Sequence, residues 1–394
     1  MSRSACSLFV LACLTAPATA YDLSRSSSGA KLHWDADVAF VPALDGGPVS
    51  AAVATEIAAR SIATWQAEMP GPLVVTLGEP GVPMTHANDG VSTIRWAVSK
   101  TDPDLERGLL ARTFTVYRTA DGVLRDADIV LDAASFSWTT TGSCANQYDV
   151  ESALTHELGH ALGIAHAIGH PEATMFATGD ACEITKRDLA TDDMLALAEL
   201  YTPPPVEAAA GGCSAGGDAG GLGLALALSF LVRRRRAVAI TGMIVGLSIT
   251  RVHAAPLREL PVTELAEHAA FVVRGHVVTS TVTPALETET LVAVGECLAG
   301  TCPPAVLVRR HGGERDGIGL RVDGEAELAR GDAVVLFVRV DRAGHHRVLG
   351  GVQGAWHVTG DRATRDLTSH RVRTEAGWVT GARQSVLVSA LRRR

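Results

Sequence analysis

One run of residues constrains this 394-residue chain more than any other: His156-Glu157-Leu158-Gly159-His160-Ala161-Leu162-Gly163-Ile164-Ala165-His166. Residues four apart share one face of a helix, so His156 and His160 can aim their imidazoles at one point. Zinc accepts such nitrogens at about 2.0–2.1 Å. His166 lies too far along to join them from the same helix. Gly163 removes that obstacle, because glycine tolerates the left-handed conformation that ends helices and lets the chain fold back. Leu154, Leu158, Ala161 and Leu162 would anchor the other faces in a core. Three protein ligands leave a fourth position for water, the catalytic arrangement of zinc. A bound metal lowers the pKa of that water to about 7, and Glu157, beside the ligand face, is placed to take its proton. No Ser, Cys or Thr nucleophile is needed. The plainer alternatives are a metal-free helix with core histidines, or a non-enzymatic, zinc-stabilised surface binding module. Glu157 separates these from an enzyme, because binding alone requires no base.

The chain is long enough for two domains, and its charge is uneven. Residues 21–210 hold 11 Lys and Arg against 26 Asp and Glu, whereas residues 256–394 hold 18 against 16. An acidic first half argues against a nucleic-acid partner, which calls for a basic surface. Residues 1–20 read as a secretory signal: Arg3, the apolar stretch Ala5 to Thr15, then Ala18-Thr19-Ala20, so that the mature chain begins at Tyr21. Cys13 as a lipid-modified residue is the rival reading. Export places the protein in the cell envelope, on the outer surface or in the extracellular space, where cysteines pair. Cys144 and Cys182 flank the motif helix and could close a loop around it. Cys297 and Cys302 bracket a short turn. Cys213 is left over.

Residues 21–202 predict an α+β domain. Strands are expected at 31–41, 73–77, 92–98, 109–117 and 124–131, with helices at 49–68 (Ser50 as N-cap), 150–163 and 191–201 (Thr191 as N-cap). Residues 203–221 form a Pro/Gly/Ala linker. Residues 222–255 hold two apolar stretches around Arg233 to Arg236. The first is short for a spanning helix, yet the arginines would stay cytoplasmic, so short transmembrane segments with both flanking domains outside are expected, a buried helical hairpin being the alternative. The second ends at Val252-His253-Ala254-Ala255, which resembles another signal-cleavage site. Residues 256–394 predict a small all-β domain, with runs at 271–278, 306–310, 333–340, 347–352 and 354–358. His311, His345 and His346 read as surface histidines, and no metal or nucleophile constellation appears in this half.

The eleven-residue motif resembles the metzincin signature, and specifically its matrixin (matrix metalloproteinase-like) branch. Pro171-Glu172-Ala173-Thr174-Met175-Phe176 resembles the matrixin Met-turn, which implies that Met175 lies beneath the zinc as an apolar base. The resemblance spans about residues 30–201. It implies a mixed twisted sheet carrying an active-site helix and a C-terminal helix, catalytic Zn2+, a protein or peptide substrate, and a zinc metalloendopeptidase activity. Leu109 to Phe114 resembles the edge strand that binds substrate backbone in that family, a form of β-strand addition. Asp102, Asp104 or the Asp126–Asp128 segment could hold Ca2+; Asp128 stands where animal members have a histidine, which argues against a second zinc. No cysteine-switch segment precedes the domain, so latency through a thiol is not expected, and His170 reads as a loop residue. Gly212-Cys213-Ser214-Ala215-Gly216-Gly217, an apolar run and four arginines resemble the C-terminal sorting signal of myxobacterial surface proteins. That implies envelope anchoring through residues 213–250, processing near Cys213, and two exported proteins joined in one reading frame or cut apart afterwards.

Overall fold

Helix α1 (Ala51–Ala67) starts where Ser50, in extended conformation, accepts a hydrogen bond from the Val53 N–H. It buries Ala54, Ile57, Ala58, Ile62 and Trp65, the spacing of one helical face. In the computed structural model, which describes residues 21–203 and 260–391 apart from 83, 87, 142–143, 168–169, 178, 367–370, 375–376 and 381–382, that face packs on the motif helix. The link is specific: the Trp65 indole N–H donates to the Thr155 carbonyl at 2.8 Å. The signal at 1–20, Cys213 and the apolar stretches of 222–255 lie outside the described residues. Among the described residues, no helix is long and apolar enough to cross a membrane.

The first half supplies strands β1 (Val38–Ala43), β2 (Val75–Leu77), β3 (Thr93–Ala97), β4 (Ala111–Arg118) and β5 (Leu124–Asp132), then two-residue strands β6 (Trp138–Thr139) and β7 (Tyr148–Asp149). Helices α2 (Val150–Ala161) and α3 (Thr191–Tyr201) follow. Strand β1 runs parallel to β2 and β3, β3 parallel to β5, and β4 antiparallel to β5. Both α1 and α2 bury their apolar faces in the core that this sheet shares with Phe40, Ile94, Ile129 and Leu131. Burying Leu154, Leu158 and Leu162 there contributes about 1.5–3 kcal/mol each.

The second half opens with a short helix, α4 (Val262–His268), so it is not purely β as its strand-rich sequence suggests. The buried Leu265 keys α4 to Leu260, Phe337 and Trp356. Strands β8 (Phe271–Val282), β9 (Glu287–Ala299), β10 (Ala305–His311), β11 (Gly313–Arg315), β12 (Ile318–Val322), β13 (Ala333–Val340), β14 (His346–Val348), β15 (Ala355–Thr359), β16 (Arg362–Asp366), β17 (Arg371–Thr374), β18 (Gly377–Thr380) and β19 (Arg383–Leu387) follow. Eight of them form one sheet, in the order β14-β10-β9-β8-β13-β15-β16-β19. Two others leave it. Strands β11 and β12, joined by the two-residue turn Asp316-Gly317 with φ of 52° and 84°, extend the first half's sheet to the order β11-β12-β4-β5-β3-β1-β2. Both turn residues having φ > 0 is the geometry that suits hairpin strands, and Asp-Gly is a preferred pair for it.

That pairing meets the edge expected at 109–114 at one residue: β12 pairs with Phe114 to Arg118, whereas the registered partner of Ala111 to Thr113 is β5. Strand β4 has β5 on one side and β12 on the other. His311 is not a surface residue. It is 5% exposed and stands edge-on to the rings of His86 and Phe114, at 5.1 and 5.7 Å, because the end of β10 meets the first half.

Candidate metal centre

Helix α2 is capped at its start by Asp149, whose carboxylate accepts from the Ser152 N–H at 2.8 Å and is held by Arg187. It ends at Leu162 in a Schellman motif. The Gly163 N–H donates to the His160 carbonyl, and the Ile164 N–H to that of Gly159, both at 2.9 Å. This closure requires a left-handed residue, and Gly163 has φ of 90°. Past it the chain reverses, and a bridge between Leu23 and Ile164 fixes the returning segment.

The reversal brings three imidazoles together. The Nε2 atoms of His156 and His166 are 3.0 Å apart, those of His156 and His160 3.1 Å, and those of His160 and His166 2.9 Å. Among the described residues this is the one group of three or more His, Cys, Asp or Glu placed to hold a metal ion. The tautomers fit a cation. His156 Nδ1 donates to the Thr174 carbonyl at 2.6 Å, and His160 Nδ1 to that of Ile164 at 2.9 Å. With the proton on Nδ1, each Nε2 presents a lone pair, so the close approach of His156 and His160 is not a hydrogen bond. Burial drives the His156 pKa well below its ordinary value, with Lys186 and His160 adding to the effect. Burial lowers that of His160 too, against an opposing pull from Asp323. Neutral nitrogens pointing at one another in a dry site repel unless a cation lies among them. Nitrogens at about 2.0–2.1 Å from one tetrahedral ion stand roughly 3.3 Å apart, close to what is found.

Glu157 is fully buried. Its Oε2 accepts from the Thr113 hydroxyl at 2.5 Å, while Oε1 has no hydrogen-bond partner. Burial pushes its carboxyl up to about 8; the Thr113 hydrogen bond opposes this and Asp323 reinforces it. Thr113, on β4, lies within the stretch 109–114, but its hydrogen bond to Glu157 is not legible in the sequence. Nor are the carbonyls of Thr174 and Ile164 that orient the imidazoles, the kind of outer contact that fixes a ligand's tautomer.

Met175 is 1% exposed and packs beneath α2. A Cβ on Gly159 would lie 2.1 Å from its sulfur, so the glycine inside the motif is what admits the methionine. The turn is held by Asp193, whose carboxylate accepts from the N–H groups of Thr174 and Met175 at 2.8 and 3.0 Å. It also accepts from the Ala190 N–H at 2.8 Å. Helix α3 is therefore preceded by Ala190 rather than capped by Thr191, which is its first helical residue. His170 points away, to Glu172 at 3.0 Å. The sulfurs of Cys144 and Cys182 are bonded, as are those of Cys297 and Cys302.

The acidic segments engage protein groups. Asp102 and Asp104 grip the guanidinium of Arg95, and Asp104 also holds His86. Asp128 accepts from Thr93. Asp126 accepts from the N–H groups of Asp89 and Gly90, while its Oδ1 has no hydrogen-bond partner. Burial, with Asp128 beside it, pushes the Asp126 carboxyl up to about 7. Its folded-state value lies above the unfolded one of about 3.9, so the stability this group contributes is present in full below about pH 4. That contribution is lost as the pH rises through about 7. Asp126→Asn keeps the acceptor and removes the charge. In urea titrations it will be more stable than the parent chain at pH 8, by on the order of 1–3 kcal/mol, with the difference closing toward pH 4. A constant difference across that range would exclude the titration of Asp126 as its source.

Three imidazoles converging on one point, with a buried carboxylate on the residue after the first of them, form a group that could hold a metal ion. The sequence model of one peptidase family (Peptidase_M10, Matrixin) matches residues 94–202, a span that holds all three histidines, Glu157 and Met175. The match and the triad fit a metzincin metalloprotease, for which zinc is the metal and protein or peptide the substrate. No curated protein matches the chain.

Proposed function

We propose that this protein is an exported zinc metalloendopeptidase that cuts extended peptides, with Glu157 as its general base. The observation that carries the reading is the convergence of three Nε2 atoms within 3.1 Å, two of their rings fixed by backbone carbonyls. Zinc bound there would supply Lewis acidity, polarising a substrate carbonyl and acidifying water. The remaining work falls to the chain. Glu157 takes the proton of the attacking water on its unpartnered Oε1 and returns it to the departing amine. Thr113 holds the other oxygen, so the carboxylate cannot swing away. Strand β4 would offer its backbone to an extended peptide along the edge that β12 covers in this structure, in the manner of strand addition. Export is supported by the sequence of residues 1–20 and by two disulfides, which suit an oxidising compartment. The segment 213–250 would attach the chain to the envelope.

The test is metal removal from the full chain. One zinc per chain, chelator-sensitive hydrolysis of a casein-type substrate, and recovery on adding zinc back are the expected results. Equal rates in stripped and zinc-loaded protein would overturn the reading.

A further inference from the structure

We propose that the C-terminal half is a built-in inhibitor of this protease, with residues 318–325 lying along β4 in the place of an extended peptide substrate. The proposal rests on the protease reading above. Strand β12 pairs antiparallel with β4 over Ile318↔Arg118, Leu320↔Val116 and Val322↔Phe114. This pairing uses the β4 backbone from Phe114 to Arg118, and the segment runs on to Glu325 beside Arg112, so a peptide added along the same edge would meet it.

The side chains alternate as the pleat requires. Leu320 and Val322 enter a buried cluster with Phe114, Val116 and Val130. Arg321 and Asp323 face the other way, toward the side where Thr113 holds Glu157. Asp323 is 5% exposed, and its carboxylate lies 3.2 Å from Nδ1 of His160. Two residues on, Glu325 pairs at 2.6 Å with Arg112, a buried cation on β4. With this segment in place, the three histidines and Glu157 are at most 3% exposed.

The docking is specific beyond the strand itself. Glu106 of the first half is buried, with one carboxylate oxygen accepting from Arg339 at 2.8 Å and the other from the Gly350 N–H at 2.7 Å. Tyr117 donates to Glu314 at 2.9 Å. Glu106 and Arg112 each keep one partner within the first half, the Arg107 N–H and the Asp104 carbonyl, but would lose their oppositely charged partners if the halves parted without replacement, which makes the contact selective.

A reversible lock tests the proposal in the full chain. Thr115 and Arg321 are paired in register, and directly opposed antiparallel residues have Cβ atoms about 4.5–5.5 Å apart, within reach of a disulfide. In Thr115→Cys/Arg321→Cys, peptide mapping should find the new cross-link. Zinc-loaded protein should then cleave a casein-type substrate at least tenfold more slowly oxidised than reduced, with wild-type chain in the same reductant as the control. Failure of the cross-link to form in folded protein overturns the proposal, and so do equal non-zero rates. A second readout uses Glu157→Gln in the same background, following a fluorescent extended peptide by anisotropy. At least tenfold weaker binding to the oxidised chain is expected, and equal affinity in the two states overturns the proposal. Should neither state cleave while the peptide still binds only the reduced one, the occupancy stands and the protease reading is what fails.

Discussion

Replacing Glu157 by glutamine should slow hydrolysis of a casein-type substrate by about 10²- to 10⁴-fold, the usual worth of a positioned general base, while one zinc per chain is retained. The substitution keeps the side chain's shape. The amide oxygen can still accept from Thr113, which now holds Oε2 at 2.5 Å, so the carboxylate's ability to take a proton is what disappears. Stability should be unharmed or improved, because the native carboxyl is fully buried and already pushed up to about 8 by that burial. Positive charge at the triad would draw it back toward the ionised form. The informative measurement pairs initial rates with metal analysis on the same protein. A Glu157→Gln chain that holds zinc and cleaves within threefold of the parent would remove Glu157 from the mechanism. An inert chain that has also lost its zinc would point instead to a disturbed site.

What was legible in the sequence is what local rules determine. The ligand spacing follows from the period of α2, the turn from Gly163 and the Met-turn from its own short motif, and none of these depends on distant partners. Strand β9 escaped because its inward positions include Thr288 and Thr290, which are buried yet polar, so alternation of hydrophobicity does not mark it. Thr288 is satisfied by the Gly312 carbonyl at 2.6 Å, a partner that only the fold supplies. The Asp316-Gly317 turn was a usable hairpin signal. Its second strand, however, pairs with β4 about two hundred residues earlier, and nothing in a local pattern names that partner. The same gap hides the burial of His311 and the roles of Thr113 and Asp193. A charged or polar side chain far from a motif looks solvated until the element opposite it is known. The strand expected at 31–41 shows the converse limit. Its alternation is real, with Leu32, Val38 and Phe40 buried, but regular pairing begins only at Val38. Leu32, though buried, lies in a bridge-and-turn segment whose carbonyl sits against Gly163.

That contact makes Gly163→Val the sharpest structural test of the metal centre. Gly163 combines two requirements that no other residue meets together. Its φ of 90° is strained for any L side chain and worst for a β-branched one. A Cβ there would also stand 2.1 Å from the Leu32 carbonyl oxygen and 2.9 Å from its carbon. Both atoms are backbone, so neither can be moved by a change of rotamer. The Gly163 carbonyl accepts in turn from the Ser24 N–H at 2.9 Å, which ties the turn to the N-terminal segment on the same side. Relieving the clash therefore means opening the Schellman closure, and His166 would move away from His156 and His160. The expected loss is on the order of 3 kcal/mol or more in folding stability, seen as a lower urea midpoint. Zinc per chain in a dialysed sample should fall well below one. Gly163→Ala should show the same two effects at smaller size, because alanine meets the same carbonyl without the branch. If Gly163→Val keeps a full zinc complement and the parent's midpoint, the chain reversal is not what brings the third imidazole to the site.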